Sequence, residues 1–277
     1  MKKIAFLFLL VSVCVFGQMQ RFTYDYTFAS DSTNKAELKT EQMNLDVSKN
    51  GSKFYSYTVY HSDSLMRVDL ENQLRTNGSI NVKSDMQKGN IRYSVTKTYP
   101  DYTVDFLTRI FTDSYSVRED RKIDWKIFPE KEKIGEWETQ KAETDFAGRK
   151  WTAWFTPEIP IQDGPYKFFG LPGLIVKMED QSKTHLFELK GIKKISEKDF
   201  DSEIFKPENR ISINRKQYQK IRKEYEADPT KGMRQLTMGG VVMKMEGNNA
   251  EQEKMMKERE QQIKDKLKKE NNRIELK

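Results

Sequence analysis

The sequence predicts an α+β protein: a large curved antiparallel β-sheet or partial β-barrel, with one inserted helix and C-terminal helices packed over it. Three observations carry this. Most of residues 21–195 alternates apolar or aromatic side chains with polar ones at period two, punctuated by turn-forming glycine, asparagine and aspartate. Residues 62–74 break that pattern with helical spacing of Leu65, Val68 and Leu70, and Ser62 or Asp63 offers a cap. Beyond Pro207 the period becomes helical in two stretches.

The first strand is the clearest. Residues 22–28 read Phe-Thr-Tyr-Asp-Tyr-Thr-Phe, one aromatic face and one polar face. Residues 43–47 lead into Lys49-Asn50-Gly51 and return over 53–57, where Asn-Gly is a strong hairpin signal. Strand-like runs follow at 90–99, 102–106, 110–117 and 123–128. The next hairpin joins 135–144 to 149–156 around Asp145-Phe146-Ala147-Gly148. In its second arm Trp151, Ala153 and Phe155 alternate with Lys150, Thr152 and Trp154, so each face carries a large aromatic, as in a strand covered on both sides. Residues 174–178 and 185–192 form another pair about Asp180-Gln181-Ser182. After Pro207, residues 214–226 form a helix with Tyr218, Ile221 and Tyr225 on one stripe. It stops at Asp228-Pro229, because a residue before proline is driven out of the α region. Residues 250–270 form a highly charged helix whose apolar stripe is Met256, Ile263 and Leu267, narrow enough to lie on a surface.

The start of the chain sets the compartment. Met1-Lys2-Lys3 is a basic n-region, residues 4–16 are apolar except Ser12, and Gly17 supplies the small residue for cleavage before Gln18. The run is shorter than the ~20 residues of a membrane-spanning helix. The expected organisation is a signal peptide at 1–17, a β-rich core domain at 18–205 and a helical extension at 206–277, exported to the periplasm or cell envelope or secreted. No transmembrane segment is expected after cleavage. Cys14 is the one cysteine of the chain. It raises a lipoprotein alternative, which the β-branched Val13 before it disfavours; otherwise the mature chain enters an oxidising space with no disulfide to form. With Lys2 and Lys3 removed, 47 basic residues face 42 acidic ones, about +5, a bias too mild for a nucleic-acid footprint.

Residues 164–175, Gly-Pro-Tyr-Lys-Phe-Phe-Gly-Leu-Pro-Gly-Leu-Ile, resemble the signature of the GLPGLI family of exported proteins of the Bacteroidota. The run 148–161 and the C-terminal Asn271-Asn272-Arg273-Ile274-Glu275-Leu276 are similar to that family too, with Arg273 where it usually has proline. Many members carry cysteine near the position of Thr139, and its absence here argues against cysteine chemistry. The resemblance implies export and a family of unestablished function. Physically, Leu171-Pro172-Gly173-Leu174 fits a type II turn. The block Phe168, Phe169 and Leu171 reads as a plug at one end of the sheet. The alternative is a binding loop in which Gly170, Leu171, Pro172, Gly173, Leu174 and Ile175 approach a ligand while Phe168, Phe169, Trp151 and Trp154 line its pocket.

Other chemistry is sparse. His61 and His185 are far apart and belong to none of the HExxH, CxxC or GxSxG patterns; both are expected on the surface or in hydrogen bonds. Glu158 and Asp163 could form an acid–base pair if held a few ångströms apart, against a charged turn paired to Arg149 or Lys167. Met238, Met243 and Met245 are weak candidates for a Cu(I) site within a methionine-rich loop. The leading expectation is therefore a non-catalytic binding or carrier protein, needing no cofactor, for a lipid-like ligand or an outer-membrane protein partner. The alternatives are a hydrolase of envelope glycans or peptides and a copper-handling protein. An aromatic-rich curved sheet in this compartment resembles LolA-type lipid-carrier folds, an analogy that carries no function by itself.

Overall fold

The computed structural model describes residues 19–77, 87–200, 209–231 and 249–277; the expected signal peptide at 1–17, Cys14 and the candidate ligands Met238, Met243 and Met245 lie outside them. One sheet of twelve strands organises the protein, in the order β12-β6-β5-β4-β3-β2-β1-β11-β10-β9-β8-β7. The strands are β1 (Gln20–Ala29), β2 (Leu38–Ser48), β3 (Gly51–Ser56), β4 (Ser94–Thr98), β5 (Thr103–Ile110), β6 (Asp113–Arg118), β7 (Lys126–Ile134), β8 (Trp137–Phe146), β9 (Arg149–Thr156), β10 (Leu174–Asp180), β11 (His185–Lys194) and β12 (Arg210–Asn214). Every pair is antiparallel except β12 on β6, which is parallel. Of the expected closed or open forms, the open sheet is the one adopted, with β12 and β7 as its edges.

The sheet curls because its inner face carries the large aromatics. In β1, Phe22, Tyr24, Tyr26 and Phe28 all point inward and are buried. Phe54 on β3 and Phe187 on β11 lie three strands apart, about 14 Å on a flat sheet, yet their rings are 6.0 Å apart. In β9 the alternation resolves into one core face of Trp151, Ala153 and Phe155 and a second face where Trp154 is only half-buried.

Four helices are described: α1 (Tyr57–Asn77), α2 (Glu197–Phe200), α3 (Arg215–Ala227) and α4 (Asn249–Lys269). Helix α1 begins five residues before the apolar spacing suggests, directly out of β3, where the Ser56 hydroxyl accepts from Val59 N at 3.1 Å. Helix α3 opens with a capping box between Asn214 and Gln217. It lays Tyr218 on Phe106 at 5.8 Å and Tyr225 on Phe111 at 5.2 Å between ring centroids. Ile263 and Leu267 of α4 are half-buried, and Glu260 pairs with Lys264 at 2.7 Å, as expected for a helix on a surface. Among the described residues no helix is long and apolar enough to cross a membrane.

Two turns differ in instructive ways. The β8–β9 hairpin has Ala147 and Gly148 both at positive φ (56° and 85°), the type I′ form that matches strand twist. In the β2–β3 hairpin the two loop residues are Lys49 and Asn50 rather than Asn50 and Gly51. Gly51 (φ 153°) opens β3 where a side chain would lie 2.2 Å from the Lys97 carbonyl of β4, so close strand approach, not turn chemistry, selects the glycine there.

Candidate functional site

The segment between β9 and β10, residues 157–173, folds back across the concave face of the sheet. Its anchor is Asp163, fully buried and ion-paired to Lys97 of β4, which is fully buried too. The remaining Lys97 protons go to the carbonyls of Gly164 (2.7 Å) and Phe168 (3.1 Å). Asp163 also accepts from Ser52 Oγ and Gly164 N, both at 2.6 Å, and from the Tyr99 hydroxyl. Burial lowers the Lys97 pKa despite the attraction of Asp163. All three ammonium protons and both carboxylate oxygens are engaged, so the pair is a structural lock. On a flat sheet β4 and β9 would be about 29 Å apart. Phe168 bridges that span, its carbonyl on Lys97 and its ring 5.1 Å from Trp151 and 5.5 Å from Phe146.

Phe168, Leu171, Leu174, Ile175 and Trp151 are all at most 1% exposed and belong to the core. Phe169 and Trp154 are half-buried, and Gly170 and Pro172 are exposed. The turn is tighter than type II: Gly173 N bonds back to Leu171 O at 2.8 Å, while Leu174 N reaches Ile159 O at 3.0 Å. Glu158 is exposed and accepts from Glu138 N at 3.0 Å. Asp163, by contrast, is sealed against Lys97, so these two carboxylates do not share a cleft. Their expected partners are engaged elsewhere: Arg149 with Asp180 (2.9 Å), and Lys167 with Glu119 (2.7 Å) and Glu275 (2.6 Å). Among the described residues no group of three or more His, Cys, Asp or Glu could hold a metal ion.

The open site lies on the other side of the plug. Tyr166 and Lys167 face a cleft of about 490 Å³, within the range of small-molecule pockets. Tyr26, Phe28, Phe106 and Tyr166 line it from the sheet and plug, Tyr218 and Arg222 from α3, and Arg273 to Lys277 from the end of the chain. Tyr26 stacks on Phe28 (4.8 Å) and Phe187 (4.1 Å). The last residues are strapped over this face: Asn272 donates to Ala29 O (2.8 Å), Arg149 to Arg273 O (3.0 Å), and Leu276 N to Ala147 O (2.8 Å).

Electrostatically the cleft is held by paired charges. Arg121 and Lys167 grip both Glu119 and Glu275 at 2.6–2.8 Å. Burial alone would raise the Glu119 pKa, but the hydrogen bond from Arg121 and the charge of Lys167 outweigh it and lower it to about 2. Glu275 is lowered in the same way, Lys167 and Arg121 overcoming its burial. Buried side-chain atoms without a hydrogen-bond partner include Tyr93 OH and Arg273 Nε, both on residues that line this cleft. Such orphans are rare in native interiors. His185 Nδ1 shares a hydrogen bond with Tyr26 OH at 2.8 Å; with the phenol donating, the ring proton lies on Nε2.

Burial, reinforced by the Arg149 charge, lowers the His185 pKa to about 4. The unfolded chain takes up this proton near pH 6.5 and the folded one only near pH 4. The unfolded state therefore binds more protons between those values, and stability falls as pH drops through them. The expected loss is about 2 kcal/mol between pH 7 and pH 5, read as a fall in the urea midpoint. In His185→Gln that part of the slope should vanish; an unchanged slope would mean another group is responsible.

Sequence reasoning missed this cleft. The sequence assigns His185 to the surface or to hydrogen bonds and Lys167 to a salt bridge with the charged turn, and it attaches no role to Tyr166, Arg273 or Glu275. Their meeting depends on contacts across more than a hundred residues, for which no local signal exists.

Against known proteins, a family model described as "Protein of unknown function (Porph_ging)" matches residues 111–177, from the end of β5 through the plug into β10. This overturns the GLPGLI assignment: the family model that matches is the Porph_ging one, over about a quarter of the chain. No curated protein matches. Among solved structures, PNGF-II in a C2 crystal is similar at 13% identity and a TM-score of 0.50, over 74% of this chain and 32% of that one. PNGF-II in a P21 crystal matches at 14% and 0.49, over 74% and 33%. The chain thus spans about a third of the length of these proteins, and at such identity the first likeness concerns fold alone.

Proposed function

We propose that this is an exported, non-catalytic binding or carrier protein of the cell envelope, and that the cleft between the concave sheet, α3 and residues 273–277 takes a small ligand with an apolar body. The observation that carries this is the cleft itself: about 490 Å³, floored by aromatic rings and bordered by orphaned polar atoms. The leader-like first residues support export. The carboxylates lining the cleft favour binding over acid–base chemistry. Glu119 and Glu275 are paired to Lys167 and Arg121, Glu226 to Arg222 and Arg273, and Glu270 to Lys266.

Native mass spectrometry of residues 18–277, purified gently from a periplasm, tests this. The expected result is an adduct that organic extraction removes. Gln219 lies on the exposed side of α3 at the cleft, so Gln219→Trp should fill the mouth without disturbing the core, and should cut adduct occupancy at least tenfold. A bare polypeptide mass from folded wild type, or an adduct indifferent to Gln219→Trp, would move the function away from this cleft.

A further inference from the structure

Resting on the cleft being a ligand site, we propose that Lys167 and Tyr166 on its wall, with Arg121 just behind them, form a carboxylate subsite, which Glu275 fills in cis and which an amphipathic carboxylic acid takes over in trans. The geometry is that of a built receptor. Glu275 Oε1 accepts from Tyr166 OH and pairs with Lys167 Nζ, both at 2.6 Å, while Oε2 meets Arg121 Nη2 at 2.8 Å. The cradle is fixed from behind. Arg121 lies 4.6 Å over the Phe146 ring, Lys167 lies 4.8 Å over Phe106, and Glu119 holds both cations.

The occupant is held less firmly than the cradle. The Glu275 side chain keeps 22% of its exposure, against 17% for Arg121, 6% for Lys167 and 5% for Glu119. The backbone on either side is tied independently, Asn272 N to Ser30 O at 3.0 Å and Leu276 N to Ala147 O at 2.8 Å. Glu275 can therefore rotate into solvent without the strap leaving the sheet. Among the side chains, two cations and two carboxylates make the occupied cluster neutral, and Arg121 Nη1 also donates to Lys277 O at 2.8 Å. With Glu275 out, the side chains of the cluster carry one positive charge and the three donors that held Glu275 lose their acceptor in a largely buried place. A neutral ligand leaves that charge uncompensated, which is costly, whereas a carboxylate restores both the charge and the bonds. The aromatic floor beside it, Phe106 and Tyr166, receives the apolar body.

The test uses 6-(2-naphthyl)hexanoate and its primary amide, titrated by naphthyl fluorescence into the wild-type chain, Glu275→Gln and Arg121→Gln. The acid should bind wild type at least tenfold more tightly than the amide. Glu275→Gln should tighten the acid about tenfold and leave the amide unchanged, and Arg121→Gln should abolish the difference between them. In the wild type, ¹³C observation of the Glu275 carboxyl should show its pKa return to that of an exposed glutamate when the acid is bound, and not with the amide; this reading needs no variant to fold. Equal binding of acid and amide, with Glu275 unmoved, overturns the carboxylate subsite while leaving the cleft as a ligand site. Binding of neither probe to any form overturns both.

Discussion

Replacing Asp163 with asparagine is expected to destabilise the protein by about 3–5 kcal/mol, the cost of leaving a buried charge without its partner. The ammonium of Lys97 is fully enclosed and Asp163 is its counter-ion. Asparagine would keep the volume and part of the hydrogen bonding to Ser52 and Tyr99 but remove the charge. Burial already lowers the Lys97 pKa, so the variant relieves part of the penalty by shedding the Lys97 proton. The remaining loss falls on the contact that ties the 157–173 segment to β4. For a domain of this size it corresponds to a drop in Tm of roughly 6–20 °C, measurable by thermal or urea unfolding. The double variant Lys97→Met/Asp163→Leu should recover much of that loss, because replacing a buried pair by packed apolar groups is often neutral. A loss under about 1 kcal/mol for Asp163→Asn would show that the pair behaves as a solvated surface bridge.

Gly173→Ala is expected to be as damaging, by at least about 3 kcal/mol from backbone strain and overpacking. Gly173 has φ 147°, and a methyl group there would sit 2.1 Å from the Thr156 carbonyl oxygen and 2.6 Å from its carbon. Neither neighbour is a flexible side chain: both are backbone at the end of β9, beside the register pair of Leu174 with Thr156. The strand pairing itself must shift to admit the methyl. Gly170→Ala is the informative contrast. It too has positive φ (93°) but nothing within 4 Å, so only conformational strain applies, of order 1 kcal/mol. Equal losses in the two variants would remove close backbone approach as the reason for Gly173.

Much of the fold could be read from local pattern. The aromatic alternation of residues 22–28 became β1, buried at every second position. The stripe Tyr218, Ile221 and Tyr225 became the face of α3 packed on the core. The period of side-chain burial is a property of a single strand or helix, so it survives in the sequence. The site was another matter. The Phe168–Ile175 run stood out because it is dense in aromatics and glycine, and the structure uses that density to fill the curl of the sheet. Tyr166 and Lys167, two residues earlier and unremarkable by composition, are the ones that face the cleft.

Determined by the sequence alone were the α+β class, the strand and helix periods, the narrow surface stripe of α4 and the leader-like start of the chain. These follow from short-range sterics and from which side chains avoid water. Only the tertiary structure decided that the sheet stays open and that Lys97 reaches Asp163 across 66 positions. It alone brought Glu275 between Arg121 and Lys167, 154 and 108 positions away. Such pairings arise from strand order and curvature, and the charge of a residue says nothing of which distant partner the closed chain will bring to it.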